Sequence, residues 1–184
     1  MSDLAEAPRV PPGSRSELGV VVWSVVRVLG LAARTKPPNL FATLGRNRRL
    51  LLGWLVFASR LMPFGKLRRR ESELVILRVA HLRDCRYELE HHMRVGARVG
   101  LTEADFARVK EGPEADGFSP RERAMLRATD SLHATKDLSD ELWTELGRHL
   151  DAAECVELVM LASHYEMLAT TIKALRIAPD EPTR

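Results

Sequence analysis

Cysteine is scarce in this chain: among its 184 residues only Cys85 and Cys155 carry a thiol. Two cysteines do not make a disulfide framework, and a reducing cytoplasm is the expected compartment. Long hydrophobic runs are missing too. The apolar stretch Leu18 to Ala33 holds Ser24 and Arg27 and falls short of the roughly 18–20 residues that span a bilayer. Glu17 stands directly before it and Ala32-Ala33-Arg34 makes a poor cleavage site, so neither a membrane span nor a signal peptide is expected. An amphipathic helix that packs on the body or on a partner subunit is the better reading. No sign of charge dominates: 28 Lys and Arg stand against 25 Asp and Glu, a net charge of +3. The basic clusters Arg46 to Arg49 and Lys66 to Arg70 are not interleaved with aromatics, as a nucleic-acid platform would be, and read as solvated helix ends. No nucleic-acid partner is expected. There is no Gly-rich phosphate loop after a strand and no Gly-x-Ser-x-Gly elbow, so nucleotide binding and serine hydrolysis are unsupported. Hairpin signals are absent as well; Asp116-Gly117 sits between polar segments and reads as a loop tip.

What is present is helical. Residues 1–13 hold three prolines and read as a disordered tail. Ser14 and Glu17 have capping-box spacing and open a helix to about Arg34, which Pro37-Pro38 breaks. Asn39 is placed to cap a short helix, Leu40 to Leu44. A helix follows from about Arg48 to Leu61, ended by Pro63 and Gly65. Next come helices from Glu71 to about Leu82 and from Arg86 to Val99, with Asp84 as the expected cap of the second and Gly100 as its stop. Thr102 and Asp105 begin a short polar helix, and residues 112–117 form a loop. Ser119-Pro120-Arg121-Glu122 starts a helix to about His133. Ser139 caps one to about Leu150, and Asp151 with Glu154 opens the last, Ala152 to about Leu175. The expected fold is all-α, with eight or nine helices.

The chemistry concentrates between Glu73 and His92. On a helix, Cys85, Glu88 and His92 at i, i+3 and i+7 share one face. A thiol, a carboxylate and an imidazole, with Glu73 upstream, are the parts of an acid–base or thiol site. Bland readings exist for each. Cys85 can be a small buried residue, Glu73 a helix-start carboxylate, and Glu88 with His92 a plain i, i+4 pair. Glu90 and His91 point roughly 100° or more away from that face and read as surface or interface. His81, Cys85, Glu88 and His92 offer donors that suit zinc, but Asp84 marks a helix junction between them, and no metal or other cofactor is expected. His133, His149 and His164 read as structural or exposed, although His164-Tyr165 could approach the pocket from the last helix. Trp23, Trp54 and Trp143 read as core or interface anchors.

The same window resembles the carboxymuconolactone decarboxylase family, which includes alkylhydroperoxidase D (AhpD). The family's redox branch carries a Glu and then a Cys-x-x-Cys-x-x-x-His run. Here Glu73 stands twelve residues before Cys85, followed by Arg86-Tyr87-Glu88-Leu89-Glu90-His91-His92. Glu73 matches the family glutamate, Cys85 the first cysteine and His92 the histidine. Glu88 stands where the second cysteine would be, and Tyr87 where some members have another relay histidine. Pro38 to Phe41, Ser119 to Arg123 and Glu157 to Leu168 extend the resemblance, which covers about Pro37 to Ile177. It implies an AhpD-like helical domain over 37–178, preceded by a helix at 14–36 and followed by a tail at 179–184.

The resemblance implies an enzyme, with Glu73, Cys85, Tyr87, Glu88 and His92 as its site residues. With Glu88 in place of the second cysteine, the Tyr-Glu version of the motif looks like the decarboxylase branch. The leading expectation is therefore a lyase acting on a small organic acid or lactone by general acid–base proton transfer. His92 and Glu73 would be proton donor and acceptor in either order. Glu88 would orient or share the proton, and Tyr87 would bind substrate or relay. The alternative is an AhpD-type thiol peroxidase using Cys85 and an external thiol, with Cys155 a weak candidate to resolve it. A further alternative is a non-catalytic helical oligomer that binds a ligand or partner. The resemblance also implies a homo-oligomer, a dimer, trimer or hexamer, and a small-molecule substrate.

Overall fold

A computed structural model describes residues 7–33 and 35–181. The start of the expected N-terminal tail, Arg34, and residues 182–184 lie outside the described residues. Nine helices occur among the described residues: α1 (Arg15–Ala33), α2 (Asn39–Leu44), α3 (Arg48–Leu61), α4 (Arg69–Leu82), α5 (Arg86–Arg98), α6 (Glu103–Glu111), α7 (Pro120–Thr135), α8 (Asp140–Gly147) and α9 (Ala152–Leu175). No strand occurs among them, so the described fold is all-α. The chain divides into two compact units, one of residues up to Phe57 with those from Thr171, the other Ala58–Thr170.

In the first unit, Leu18, Val22 and Val26 of α1 bury against Ala42 and Leu51, with Trp23, Phe41 and Trp54 packed around them. Glu17 reaches back to the Ser14 N–H, which donates at 2.8 Å, as the capping spacing predicts. Gly19 interrupts α1 with φ 74° and ψ 165°, a conformation that costs glycine little and other residues much. Several local expectations are corrected here. Asn39 does not cap α2: Pro38 is the N-cap, and the Asn39 amide donates to the Ala178 and Pro179 carbonyls. Segments expected to be free tails are held. Arg9 donates to the Leu175 and Ala174 carbonyls, Gly13 N–H to Ala42, and Asp180 accepts from the Asn39 N–H. The Arg46–Arg49 cluster is not simply solvated either, since Arg46 pairs with Glu17 at 2.8 Å and Arg48 donates to the Glu17 carbonyl.

In the second unit α4 packs against α5, α6 and α7. Its apolar residues Leu74 and Leu77 join Leu101, Phe106, Val109, Phe118 and Leu126 in one core. The loops that end its neighbours follow their sequence signals. Thr102 and Ser119 cap α6 and α7 with reciprocal Asp105 and Glu122 contacts. Gly100 takes φ 90° just beyond α5. α8 stops earlier than expected, at Gly147. Among the described residues no helix is long and apolar enough to cross a membrane.

Candidate active site

All ten residues of α4 from Glu71 to Ala80 are buried, three of them charged. A buried charge is tolerated only with partners, and each has them. Arg121 donates to Glu71 at 2.9 and 3.1 Å. Arg78 donates to both Asp130 oxygens at 2.6 and 2.7 Å. Glu73, 0% exposed, is the one of the three with an imidazole among its partners. Its Oε2 lies 2.8 Å from His92 Nδ1 on α5. Its Oε1 accepts from Arg69 Nη2 at 3.2 Å, one turn earlier on α4. A carboxylate that accepts the Nδ1 proton fixes the imidazole tautomer and leaves Nε2 as the nitrogen that exchanges protons.

α5 sets the second half of the site. Asp84 does not cap it. Asp84 takes a left-handed φ of 46°, and Cys85, at φ −101° and ψ 89°, is the N-cap. The expected shared face of Cys85, Glu88 and His92 is therefore corrected: only Glu88 and His92, at i and i+4, lie in the helix. Cys85 is buried at its mouth and in no disulfide. Glu88 occupies the third position of α5, where a glutamate ordinarily reaches back to the N-cap N–H. Here that N–H donates to the Ala80 carbonyl at 2.9 Å instead. Glu88 turns inward, 2% exposed, and neither of its carboxyl oxygens has a hydrogen-bond partner among the described residues. Burial, and then the like charge of Glu166, push its pKa up to about 8. Its environment favours the protonated, uncharged form well above the ordinary carboxyl range.

The last helix closes the cluster. Tyr165 of α9 packs edge-on against His92, ring centroids 5.1 Å apart, and His164 packs on Tyr165 at 5.3 Å. Burial, then Glu88 and Glu73, raise the Tyr165 phenol well above its ordinary range, so Tyr165 lies within the field of both carboxyls. Burial lowers His164 to about 4. From sequence His91 reads as surface or interface. It is half-buried beside His92 at 5.1 Å, and burial, with the charges of His92, Arg94 and Arg98, drives it down to about 3. Tyr87 is buried on α5 beside Glu88.

The structure thus brings Glu73 and His92 into direct contact, with Glu88 buried one turn before His92 on α5 and Cys85 buried at the N-cap of the same helix. Cys155 is buried in α9, its thiol pushed up by burial and by Glu154 and Asp151. It stands ten residues before Tyr165, roughly 15 Å along the helix. His81 is half-buried at the end of α4, and burial first lowers its pKa. Among the described residues no three of His, Cys, Asp and Glu stand close enough to hold a metal ion. Trp143 is half exposed. Arg69 and Glu166 were not singled out from sequence. Arg69 sits in a basic run read as a solvated helix end, but Arg69, Arg70 and Lys66 all pair with carboxylates. The i, i+4 spacing of Arg69 to Glu73 is the signal that could have found it. In the second unit a surface cleft of about 680 Å³ runs along Arg127, Glu145 and Arg148, and in the first unit one of about 580 Å³ runs along Ser14 to Val20.

Residues 50–131 match the model of the carboxymuconolactone decarboxylase family, an interval that holds Glu73, Cys85, Tyr87, Glu88 and His92 but not Tyr165. An uncharacterised protein of Bacillus subtilis (strain 168), YdfG, is 28% identical over 95 residues, 50% of this chain. The chain spans 65% of that relative's length. A peroxidase-related protein from Ralstonia eutropha JMP134, described as an alkylhydroperoxidase AhpD core, superposes with a TM-score of 0.82 at 18% identity, over 94% of this chain and 92% of its own. A Cys-to-Ala variant of the debrominase Bmp8 in complex with 2,3,4-tribromopyrrole superposes with a TM-score of 0.79 at 18% identity, over 95% and 92% of the two chains. At such identities these likenesses show the fold.

Proposed function

We propose that this chain, whose residues 50–131 match the carboxymuconolactone decarboxylase family model, is a decarboxylase-like enzyme that moves a proton on a small organic acid or lactone. The observation that carries this reading is the pairing of two unlike carboxyls. Glu73 is hydrogen-bonded by His92 and Arg69, whereas Glu88 is buried with no partner among the described residues and holds its proton to about pH 8. Carboxyls in such different settings divide the roles of acid and base. Glu88 is the proton donor at neutral pH. His92, oriented by Glu73 through Nδ1, is the acceptor. Tyr165 holds the imidazole plane, and Tyr87 contacts substrate. A second copy of the chain is its proposed partner and the cytoplasm its proposed compartment.

The test is deuterium incorporation from heavy water into a panel of small lactones and carbon acids, followed by proton NMR. Glu73→Gln and His92→Ala are each expected to slow exchange by roughly a hundredfold or more, the usual weight of a general acid or base. Exchange that survives in both variants at the wild-type rate overturns the reading. One observation favours a thiol reaction instead. Cys85 sits at the N-cap of α5, where the helix end stabilises a thiolate. In that reading Cys85 reduces a hydroperoxide, becomes a sulfenic acid and is returned by an external thiol. Glu88, in place of a second cysteine, and the distant Cys155 weigh against it.

A further inference from the structure

Three arginines of the second unit each sit between two carboxylates. Arg70 bridges Asp105 and Glu122, Arg121 bridges Glu71 and Glu154, and Arg127 bridges Glu114 and Glu145. In each of them every guanidinium nitrogen is bonded. Arg69 departs from this pattern. Its Nη2 donates to Glu73 Oε1 at 3.2 Å, while its Nη1 is buried with no hydrogen-bond partner among the described residues. A guanidinium presents its N–H donors in a rigid fork, and a buried donor left unbonded costs free energy. Arg69 therefore has one carboxylate where the other three have two. The unbonded nitrogen is one carbon away from the nitrogen that touches Glu73, and Glu73 touches His92 at 2.8 Å. Further buried polar atoms without partners stand on α5 near that contact. They are His91 Nδ1, in the ring 5.1 Å from that of His92, and both oxygens of Glu88, one turn before His92. Among these groups Arg69 carries the fixed positive charge. Its side chain is 32% exposed and held by an ion pair to Glu73, so it can turn the free nitrogen toward a ligand arriving from solvent.

We propose that Arg69 is the docking residue for a carboxylate of the substrate, which takes the place beside the guanidinium that a second protein carboxylate takes at Arg70, Arg121 and Arg127. The planar fork matches a carboxylate. A phosphate dianion would meet more repulsion from Glu73 than a carboxylate does. The substrate is then a small carboxylic acid and not a neutral lactone or ester. Its carboxylate anchors it beside the Glu73–His92 pair, and another of its atoms exchanges the proton. The inference rests on the reading of Glu73 and His92 as the pair that faces substrate.

The experiment measures binding of acetate, levulinate, succinate and benzoate to the full chain, each beside its methyl ester, with inorganic phosphate as a further probe. Proton–nitrogen NMR of histidine-labelled protein reads the His92 ring, and His92→Gln identifies its signals. At least one acid is expected to shift those signals and to bind about tenfold or more tighter than its ester. Arg69→Gln is expected to weaken that acid by about tenfold to a hundredfold, the weight of a charge-assisted hydrogen bond, and to leave the ester unchanged. A residue that only supports Glu73 would weaken acid and ester alike. The proposal is overturned if none of the acids binds, if acid and ester bind equally, or if Arg69→Gln binds the acid as wild type does. Phosphate binding tighter than every acid overturns it too. Should Arg69→Gln fail to fold, as judged by helical circular dichroism, Arg69→Lys decides: it keeps a cation beside Glu73 without the second nitrogen, and undiminished acid affinity overturns the proposal. Arg69-dependent binding with no deuterium exchange into any bound acid keeps the docking site and overturns the proton-transfer reading. Exchange that is indifferent to Arg69 overturns only the docking role.

Discussion

His92 is held by two unlike contacts, the Glu73 oxygen at 2.8 Å and the Tyr165 ring edge-on at 5.1 Å. Removing the second should be felt in stability before chemistry. Tyr165→Ala is expected to cost about 3–5 kcal/mol in urea unfolding, the range for deleting a buried aromatic, while Tyr165→Phe keeps the ring and most of the stability. Equal losses in the two variants would show that the hydroxyl, not the ring, holds the site. At this scale the nearness of Glu73 and His92 was legible in sequence, because they lie on helices joined by a short turn and their spacing is local. Tyr165 could only be guessed at, and Glu166 not at all, because what brings them in is the packing of a helix more than seventy residues further along the chain. A helical-face argument turns His91 away from the Glu88–His92 face, and beside that face it is half-buried.

The helices follow their local signals more faithfully than the side chains follow their faces. The starts of α6, α7 and α9 obey the capping residues Thr102, Ser119 and Asp151. Ser119→Ala is expected to destabilise the chain by about 1 kcal/mol, a fall of roughly 2–4 °C in Tm, measured by thermal unfolding; no change would show that Glu122, which Arg70 also holds at 3.0 Å, fixes the turn without the hydroxyl. The start of α5 breaks the pattern. A capping aspartate at 84 is the natural reading, yet Asp84 is in the left-handed region and the buried Cys85 takes the cap. The consequence reaches the site directly, since Glu88 is released from the capping role its position would give it. Sequence periodicity carries no sign of this, because the displacement is a single residue at a helix junction.

For the molecule as a whole, the buried titrating groups dictate how stability varies with pH. Burial holds His91 and His164 at about 3 and 4 in the folded chain, below the ordinary histidine value of 6.5. The unfolded chain therefore binds more protons below pH 6.5, and their contribution is lost as pH falls. Glu88 works in the other direction. Its folded value of about 8 lies above the ordinary 4.5, so its contribution is complete below pH 4.5 and is lost as pH rises toward 8. Between pH 6.5 and 8 the histidines no longer change, and the Glu88 slope stands alone among these three. Unfolding free energy is expected to fall across that window by at most about 1.4 kcal/mol per pH unit. Glu88→Gln should flatten this decline, measured by urea unfolding at fixed pH. A slope that persists in Glu88→Gln would assign it to another group.

The most direct measurement is hydroperoxide consumption by the pure protein with excess dithiol, run beside a Cys85→Ser control. Acid–base chemistry centred on Glu73, Glu88 and His92 predicts no consumption above that control. Turnover that depends on Cys85 would contradict the account and make the chain a one-cysteine peroxidase despite Glu88.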